Sequence, residues 1–145
     1  MATVRDLLAV KSPHVHSIGP TASVLEAAQL MNEHRIGSLV VLDGGRLCGI
    51  ITERDLLQRV VALCRDPGQT QVAEVMTTDV ICCTPRMPVE EARNIMKNRR
   101  IRHLPVVDEA GELCGLISIG DLNAHETVNQ ERHIHFLERY IHGEV

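Results

Sequence analysis

Apolar and polar positions along the chain predict helices and paired strands in a fixed order. A capping box of Ser23 and Glu26 opens a stretch with apolar residues every three or four positions, which predicts an amphipathic helix. Two apolar runs, at 38–43 and 46–51, flank a Gly-Gly turn and predict a β-hairpin, and residues 52–64 predict another helix. With a preceding strand these elements form a β-α-β-β-α unit.

The same order returns after a polar linker. In the first unit, a leading helix is predicted at 3–10 and the first strand at 14–18. The Pro-Gly turn in 65–71 marks the linker between the units. The second unit then begins with a helical turn and a strand at 79–84. Its last helix is predicted to continue well past the second hairpin, to residue 143.

The two copies align residue by residue. LCGIIT at 47–52 matches LCGLIS at 113–118, which sets Asp55 against Asp121 at an offset of 66 residues. A unit of about 60 residues buries only about 60% of its unfolded surface, so we expect the copies to pack on each other. The predicted fold is therefore α+β, with two β-α-β-β-α units in pseudo-twofold symmetry and an extended C-terminal helix.

The linker sets the predicted domain boundaries. The first unit with its N-terminal helix covers 1–64, the linker 65–71, the second unit 72–125 and the C-terminal helical extension 126–145.

Composition and charge exclude several classes of function. The net charge is −4, and the single Phe and single Tyr lie in the last ten residues, so the repeat has no aromatic platform for nucleic acid. No run of 18 apolar residues and no signal peptide is present, so we expect neither membrane insertion nor export but a cytoplasmic protein. Five cysteines without a C-x-x-C pair agree with a reducing compartment.

The repeated junction between the hairpin and the next helix carries the candidate chemistry. Thr52 with Asp55, and Ser118 with Asp121, have the spacing of a capping box in which Asp replaces Glu. The same geometry also suits a ligand, because free N–H groups at a helix start attract phosphate and a nearby carboxylate can accept from ribose hydroxyls. The motif alone leaves both interpretations open.

The whole constellation resembles the CBS-domain family, in which two tandem copies form a Bateman module. The resemblance covers roughly residues 1–125 and rests on an apolar strand such as LPVVD, a turn, and then G-apolar-apolar-[ST]-x-x-D at the start of a helix, twice in register. It implies two clefts between the halves that bind adenine nucleotides such as AMP, ADP or ATP, or related adenosyl ligands. It implies no catalysis and no required cofactor.

The resemblance also implies which residues line each cleft. The first cleft would use Thr52, Arg54, Asp55, Gly37 and Ser38, closed by Thr77, Ile81 and Ile101. The second cleft would use Arg102, His103, Ser118 and Asp121, closed by His16, Ile36 and Gly37.

The clefts are expected to be unequal. The basic segment 97–103 precedes the second hairpin, where the first copy is much less basic. Lys97 and Arg99 are explained by the dipole of a helix end, whereas Arg102 and His103 begin a strand and are better candidates for phosphate.

Other chemistry is not supported by the sequence. The His-x-His pair at 133 and 135 would point apart on a helix, and Cys82 and Cys83 have no acid or base spaced to activate them. We therefore predict neither a metal site nor an enzyme.

The C-terminal extension has apolar stripes that the repeat does not need, formed by Ile134, Leu137 and Ile141 with Phe136 and Tyr140 alongside. They would either dock on the chain's own core or form a homodimer interface, and the resemblance favours the homodimer. The sequence thus predicts a stand-alone regulatory module whose regulated protein is unknown. The alternative is an interaction or scaffold protein with clefts that bind nothing.

Overall fold

The computed structural model describes residues 1–11 and 14–126, and in this part the α+β class with two similar units is confirmed. The predicted extension beyond residue 126 lies outside the described residues. The first half contains α1 (Val4–Ala9), β1 (Ser17–Ile18), α2 (Val24–His34), β2 (Ser38–Asp43), β3 (Arg46–Thr52) and α3 (Glu53–Leu56), which continues as a π-helical turn, Leu57–Val61. The second half contains α4 (Val72–Val75), α5 (Val89–Arg99), β4 (His103–Val107) and β5 (Leu113–Ser118), and residues 119–126 are helical.

Helices α2 and α5 show why the two halves match. The Ser23 hydroxyl accepts from the amide of Glu26 at 3.1 Å, which satisfies one of the free N–H groups at the start of α2. Each helix turns three matched side chains into a core, and each ends at an arginine in the left-handed conformation, Arg35 or Arg100, both with φ 54°. The buried side chains are Val24, Ala27 and Met31 in α2, and Val89, Ala92 and Met96 in α5.

The hairpins form the sheets. Strand β2 pairs antiparallel with β3 and parallel with β1, and β4 pairs antiparallel with β5. Both hairpins carry a register shift at matching places, between Val41 and Leu42 and between Val106 and Val107. Because these strands are covered by helices, their inner residues are almost fully buried.

Three predicted elements differ from the structure. The strand expected at 14–18 is limited to Ser17–Ile18, and the one expected at 79–84 is reduced to a single parallel bridge between Cys83 and Val106. Pro85, two residues further on, has no N–H to donate to a neighbouring strand, so the pairing does not continue through it. The helix expected at 52–64 becomes π-helical after Leu56 and ends at Val61.

The two cores exchange their short helices. Val4 and Leu7 of α1 are buried in the core of the second unit, and Val72 and Val75 of α4 are buried in the core of the first. Backbone bonds hold both helices in place, with the amide of Val4 donating to Met87 O and that of Val72 to Ala22 O, each at 2.8 Å. The packing therefore crosses the domain boundaries that the sequence predicts, and the pseudo-twofold relation stays a prediction.

In the part of the chain that the structure describes, no helix has the length and apolar character needed to cross a membrane.

Two equivalent glycines lie where the exchanged helices meet the hairpins. A Cβ on Gly49 would stand 2.9 Å from the backbone oxygen of Thr77 and 2.7 Å from Met76 Sδ, whereas one on Gly115 would meet the flexible end of Leu8 at 2.7 Å. A side-chain tip can move aside, but a backbone oxygen in a hydrogen-bonded bridge cannot do so without breaking the bridge.

We therefore predict that Gly49→Ala lowers the free energy of unfolding by about 1–3 kcal/mol, and that Gly115→Ala lowers it by less than about 1 kcal/mol. Urea denaturation of both variants and the wild type measures the difference. Equal losses at the two positions would contradict the packing described here.

Candidate functional site

Both junctions form the capping boxes that the spacing predicts. At the first, Asp55 Oδ2 accepts from the amide and the hydroxyl of Thr52 at 3.0 and 3.2 Å. At the second, Asp121 Oδ2 accepts from the amide and the hydroxyl of Ser118 at 2.8 and 3.1 Å. Capping thus uses only Oδ2 of the aspartate at each junction. The partners of Oδ1 then determine whether the carboxylate can also contact a ligand.

The first junction is closed. Asp55 is only 6% exposed, its Oδ1 accepts from the Thr77 hydroxyl at 3.2 Å, and Arg59 Nε lies 3.8 Å from the same oxygen. Thr77 is fixed in turn by two backbone bonds with Ile50, at 2.8 and 3.0 Å. Both oxygens of Asp55 therefore have partners within the protein.

The second junction is more open. Lys11 Nζ donates to Asp121 Oδ2 at 2.8 Å and to the backbone oxygen of Leu116 at 2.7 Å. The side chain of Asp121 is 23% exposed, and within residues 1–11 and 14–126 its hydrogen bonds end on Oδ2 and its own amide. Among the described residues, Asp121 Oδ1 thus accepts no hydrogen bond, unlike Oδ1 of Asp55.

A cavity of about 480 Å³ lies in front of this second junction, a size typical of small-molecule sites. Its walls come from both halves of the chain and combine four aliphatic side chains with three histidines, one lysine and two serines. The lining residues are Leu8, Lys11, His14, Val15, His16, Ile36, Gly37, Ser38, His103, Cys114, Gly115, Leu116 and Ser118.

Most residues predicted for the second cleft lie together at this cavity. His16, Ile36, Gly37, His103 and Ser118 line it. Asp121 is not a lining residue but accepts hydrogen bonds from two of them, Ser118 and Lys11. Arg102 is exposed and is not among the lining residues.

Residues predicted for the first cleft are divided. Thr52, Asp55 and Thr77 are in mutual contact, but Ser38 lines the cavity at the second junction together with Gly37. Arg54 is exposed, and Ile81 and Ile101 pack against the core of the second unit.

Two polar residues of the cavity, Lys11 and His14, are not among the predicted site residues. Lys11 contacts Asp121 as Thr77 contacts Asp55, each from the chain just after a short helix that packs on the other unit's core. Spacing alone does not pair Lys11 with Thr77, because the offset between the copies is 68 at the caps of α1 and α4 and 65 at α2 and α5.

Three of the residues that line the cavity are histidines, and their surroundings lower the pKa of two of them. The rings of His14 and His16 are 4.5 Å apart, and the ring of His16 stacks on that of His34 at 4.0 Å. Burial lowers the pKa of His16, and the neighbouring His34 and His14 lower it further. Burial also lowers the pKa of His103, aided by Arg102 and Lys11 and opposed by Asp121 and Glu53.

Neither an activated thiol at Cys83 nor a metal-binding cluster is found in the described part of the chain. Burial raises the pKa of the Cys83 thiol to about 12, so it stays protonated and unreactive. Among residues 1–11 and 14–126, no three His, Cys, Asp or Glu side chains form a group that could hold a metal ion.

Comparisons with known proteins agree on one family. The CBS domain model matches residues 3–62 and 72–125. CBS domain-containing protein YhcV of Bacillus subtilis is 37% identical over 130 residues, covering 90% of this chain and 89% of that protein. The CBS-domain containing protein ATU1752 from Agrobacterium tumefaciens is 38% identical in its crystal structure, with a TM-score of 0.79 and coverage of 86% of this chain and 98% of that one. The CBS domain protein PAE2072 from Pyrobaculum aerophilum, complexed with AMP, is 30% identical with a TM-score of 0.74, covering 83% and 89%.

The lowered pKa values of His16 and His103 predict how stability depends on pH. Below about pH 6.5, the usual pKa of histidine, the unfolded chain binds protons that the folded chain binds less readily. The free energy of unfolding should therefore fall as the pH falls from 7.5 to 5.5, and His103→Gln should reduce that fall.

Urea denaturation at the two pH values tests this, with His125→Gln, outside the cavity lining, as the matched control. A pH dependence that is the same in His103→Gln and in the wild type would contradict the role given to His103.

Proposed function

This chain belongs to the CBS domain family, and we propose that it is a stand-alone regulatory pair that binds an adenine nucleotide or related adenosyl ligand between its halves. The proposal rests above all on the cavity at the second junction, where, among the described residues, Asp121 Oδ1 accepts no hydrogen bond beside the helix start at Ser118. The AMP complex of the Pyrobaculum relative supports the same class of ligand.

The chemistry of the cavity suits the parts of a nucleoside. A ribose diol donates to a carboxylate oxygen, and Asp121, which contacts the lining residues Ser118 and Lys11, would supply that acceptor. The faces of an adenine ring can be covered by aliphatic groups through dispersion and apolar burial, and Leu8, Val15 and Ile36 line the cavity. No cofactor is required for such a binding function.

Binding would act through the packing of the two halves. The cavity takes His16 and Ile36 from the first half and His103 and Leu116 from the second, so a ligand contacts both. A ligand shifts an equilibrium between two arrangements only by its difference in affinity for them. The output of the module would then be a changed surface for a second copy or for a regulated protein.

The scaffold alternative is favoured by one observation at the first junction. Both oxygens of Asp55 are used inside the protein, so this junction has a structural role without a ligand. The second candidate function is therefore an interaction protein in which both junctions only cap helices. The two candidates differ in whether the second junction binds a nucleotide.

We predict that Asp121→Asn weakens AMP binding at least tenfold, because the carboxylate acceptor is lost, whereas Asp55→Asn changes the affinity less than twofold. Asp55→Asn should instead cost about 1–3 kcal/mol of stability, since it disrupts a buried acceptor. Isothermal titration calorimetry with AMP, followed by urea denaturation, separates the effects. Wild-type protein that binds none of AMP, ADP, ATP, NAD(H) or S-adenosylmethionine would favour the scaffold.

We also propose that the module forms a homodimer. Leu57 and Val61 are 62% and 67% exposed and lie four residues apart, on the same face of the helix that follows the first junction. Exposed apolar side chains that are grouped in this way are typical of interaction surfaces.

Lysine at both positions, Leu57→Lys with Val61→Lys, should raise the dimer dissociation constant at least tenfold in sedimentation equilibrium. Val10→Lys, which also replaces a strongly exposed apolar residue, is the control and should leave it unchanged. A dimer that is as tight in the double variant as in the wild type would exclude this face as the interface.

A further inference from the structure

The cavity wall carries several basic side chains. Lys11, His14, His16 and His103 line it, and among the described residues its lining includes no aspartate or glutamate. Asp121 is not a lining residue, and its charge is paired with Lys11 at 2.8 Å. A negatively charged group in the cavity would thus meet donors and cations, whereas a positively charged group would meet no free carboxylate on the wall.

Building on the proposed function, we propose that this cavity selects adenosyl ligands that carry phosphate over neutral or cationic ones, and that Lys11 determines the selection. An ammonium group has three N–H donors, and Lys11 gives two of them to Leu116 O and Asp121 Oδ2. Within the part of the chain that the structure describes, the third has no acceptor, so it can donate to a ligand oxygen. A charge-assisted bond from ammonium to phosphate is roughly twice as strong as a neutral hydrogen bond.

The first junction supports the assignment by contrast. There the residue that approaches the carboxylate is Thr77, whose neutral hydroxyl donates to Asp55. A cation also lies at that junction, since Arg59 Nε is 3.8 Å from Asp55 Oδ1, and Arg59 Nη1 donates to two backbone oxygens. Arg59 is not among the residues that line the cavity, whereas Lys11 is, so Lys11 is the junction cation that a ligand in the cavity can contact.

The histidines make phosphate binding proton-linked. His16 faces His14 and His34, while His103 faces Arg102, Lys11, Asp121 and Glu53, so most of their neighbours oppose a positive charge on the ring. Both rings are therefore largely neutral near pH 7. A phosphate in the cavity would favour the charged rings, so its binding should be accompanied by proton uptake.

Calorimetry at pH 7.5 with AMP, adenosine and S-adenosylmethionine tests the selection, since the three probes share the nucleoside and differ in charge. AMP should bind at least tenfold more tightly than either of the others. Lys11→Met should weaken AMP binding at least tenfold and adenosine binding less than twofold, while Lys11→Arg, which keeps the charge, should retain AMP affinity within about threefold.

Proton uptake is measured in the same experiment by repeating the AMP titration in buffers of different ionisation enthalpy. At pH 7.5 AMP is mostly a dianion, because its second phosphate pKa is about 6, so uptake reports on the protein. We expect net uptake, reduced in His103→Gln.

The outcomes separate this proposal from the proposed function. Equal affinity for AMP and adenosine, or tightest binding of S-adenosylmethionine, would overturn phosphate selection and keep the adenosyl site. Binding of none of the three, and of none of ADP, ATP and NAD(H), would overturn the proposed function itself. Phosphate selection without proton uptake would overturn the histidine linkage.

Discussion

The exchange of α1 and α4 between the two cores is the constraint on which the rest of the structure depends. Neither hairpin with its long helix has a complete core, because Val4 and Leu7 fill one and Val72 and Val75 fill the other. The exchange also brings chemistry to the junctions. The chain just after α1 delivers Lys11 to Asp121, and the chain just after α4 delivers Thr77 to Asp55. The contacts at both junctions are thus made by the same segments that complete the two cores.

The residue that approaches each carboxylate accounts for much of the difference between the junctions. Thr77 is short and donates to its carboxylate from a backbone bridge that keeps this junction closed. Lys11 reaches its carboxylate with a long side chain, and a cavity lies in front of that junction. The two copies of one capping motif thus differ in how completely their surroundings close them.

The sequence predicted much of this arrangement, and the reasons for its failures are physical. Apolar spacing located α2, α5 and both hairpins, because these elements bury one regular face. It could not locate the exchange, since Val4 and Leu7 have the same pattern whichever core they fill. The capping boxes were predicted from spacing alone because their bonds are local. Closure of the first junction and the place of Ser38 depend on contacts between distant segments, which the spacing of residues does not show.

The helix exchange also sets the order in which the chain can fold. Helix α1 is made first, yet its partner strand β5 (Leu113–Ser118) follows more than a hundred residues later. Contacts this distant in sequence slow folding, because the loop must close before they contribute. During synthesis the apolar side of α1 is therefore expected to stay exposed to solvent until nearly the whole second unit has been made. The first unit can complete its own core earlier, as soon as residues 72–75 are made, so it is expected to fold before the second unit.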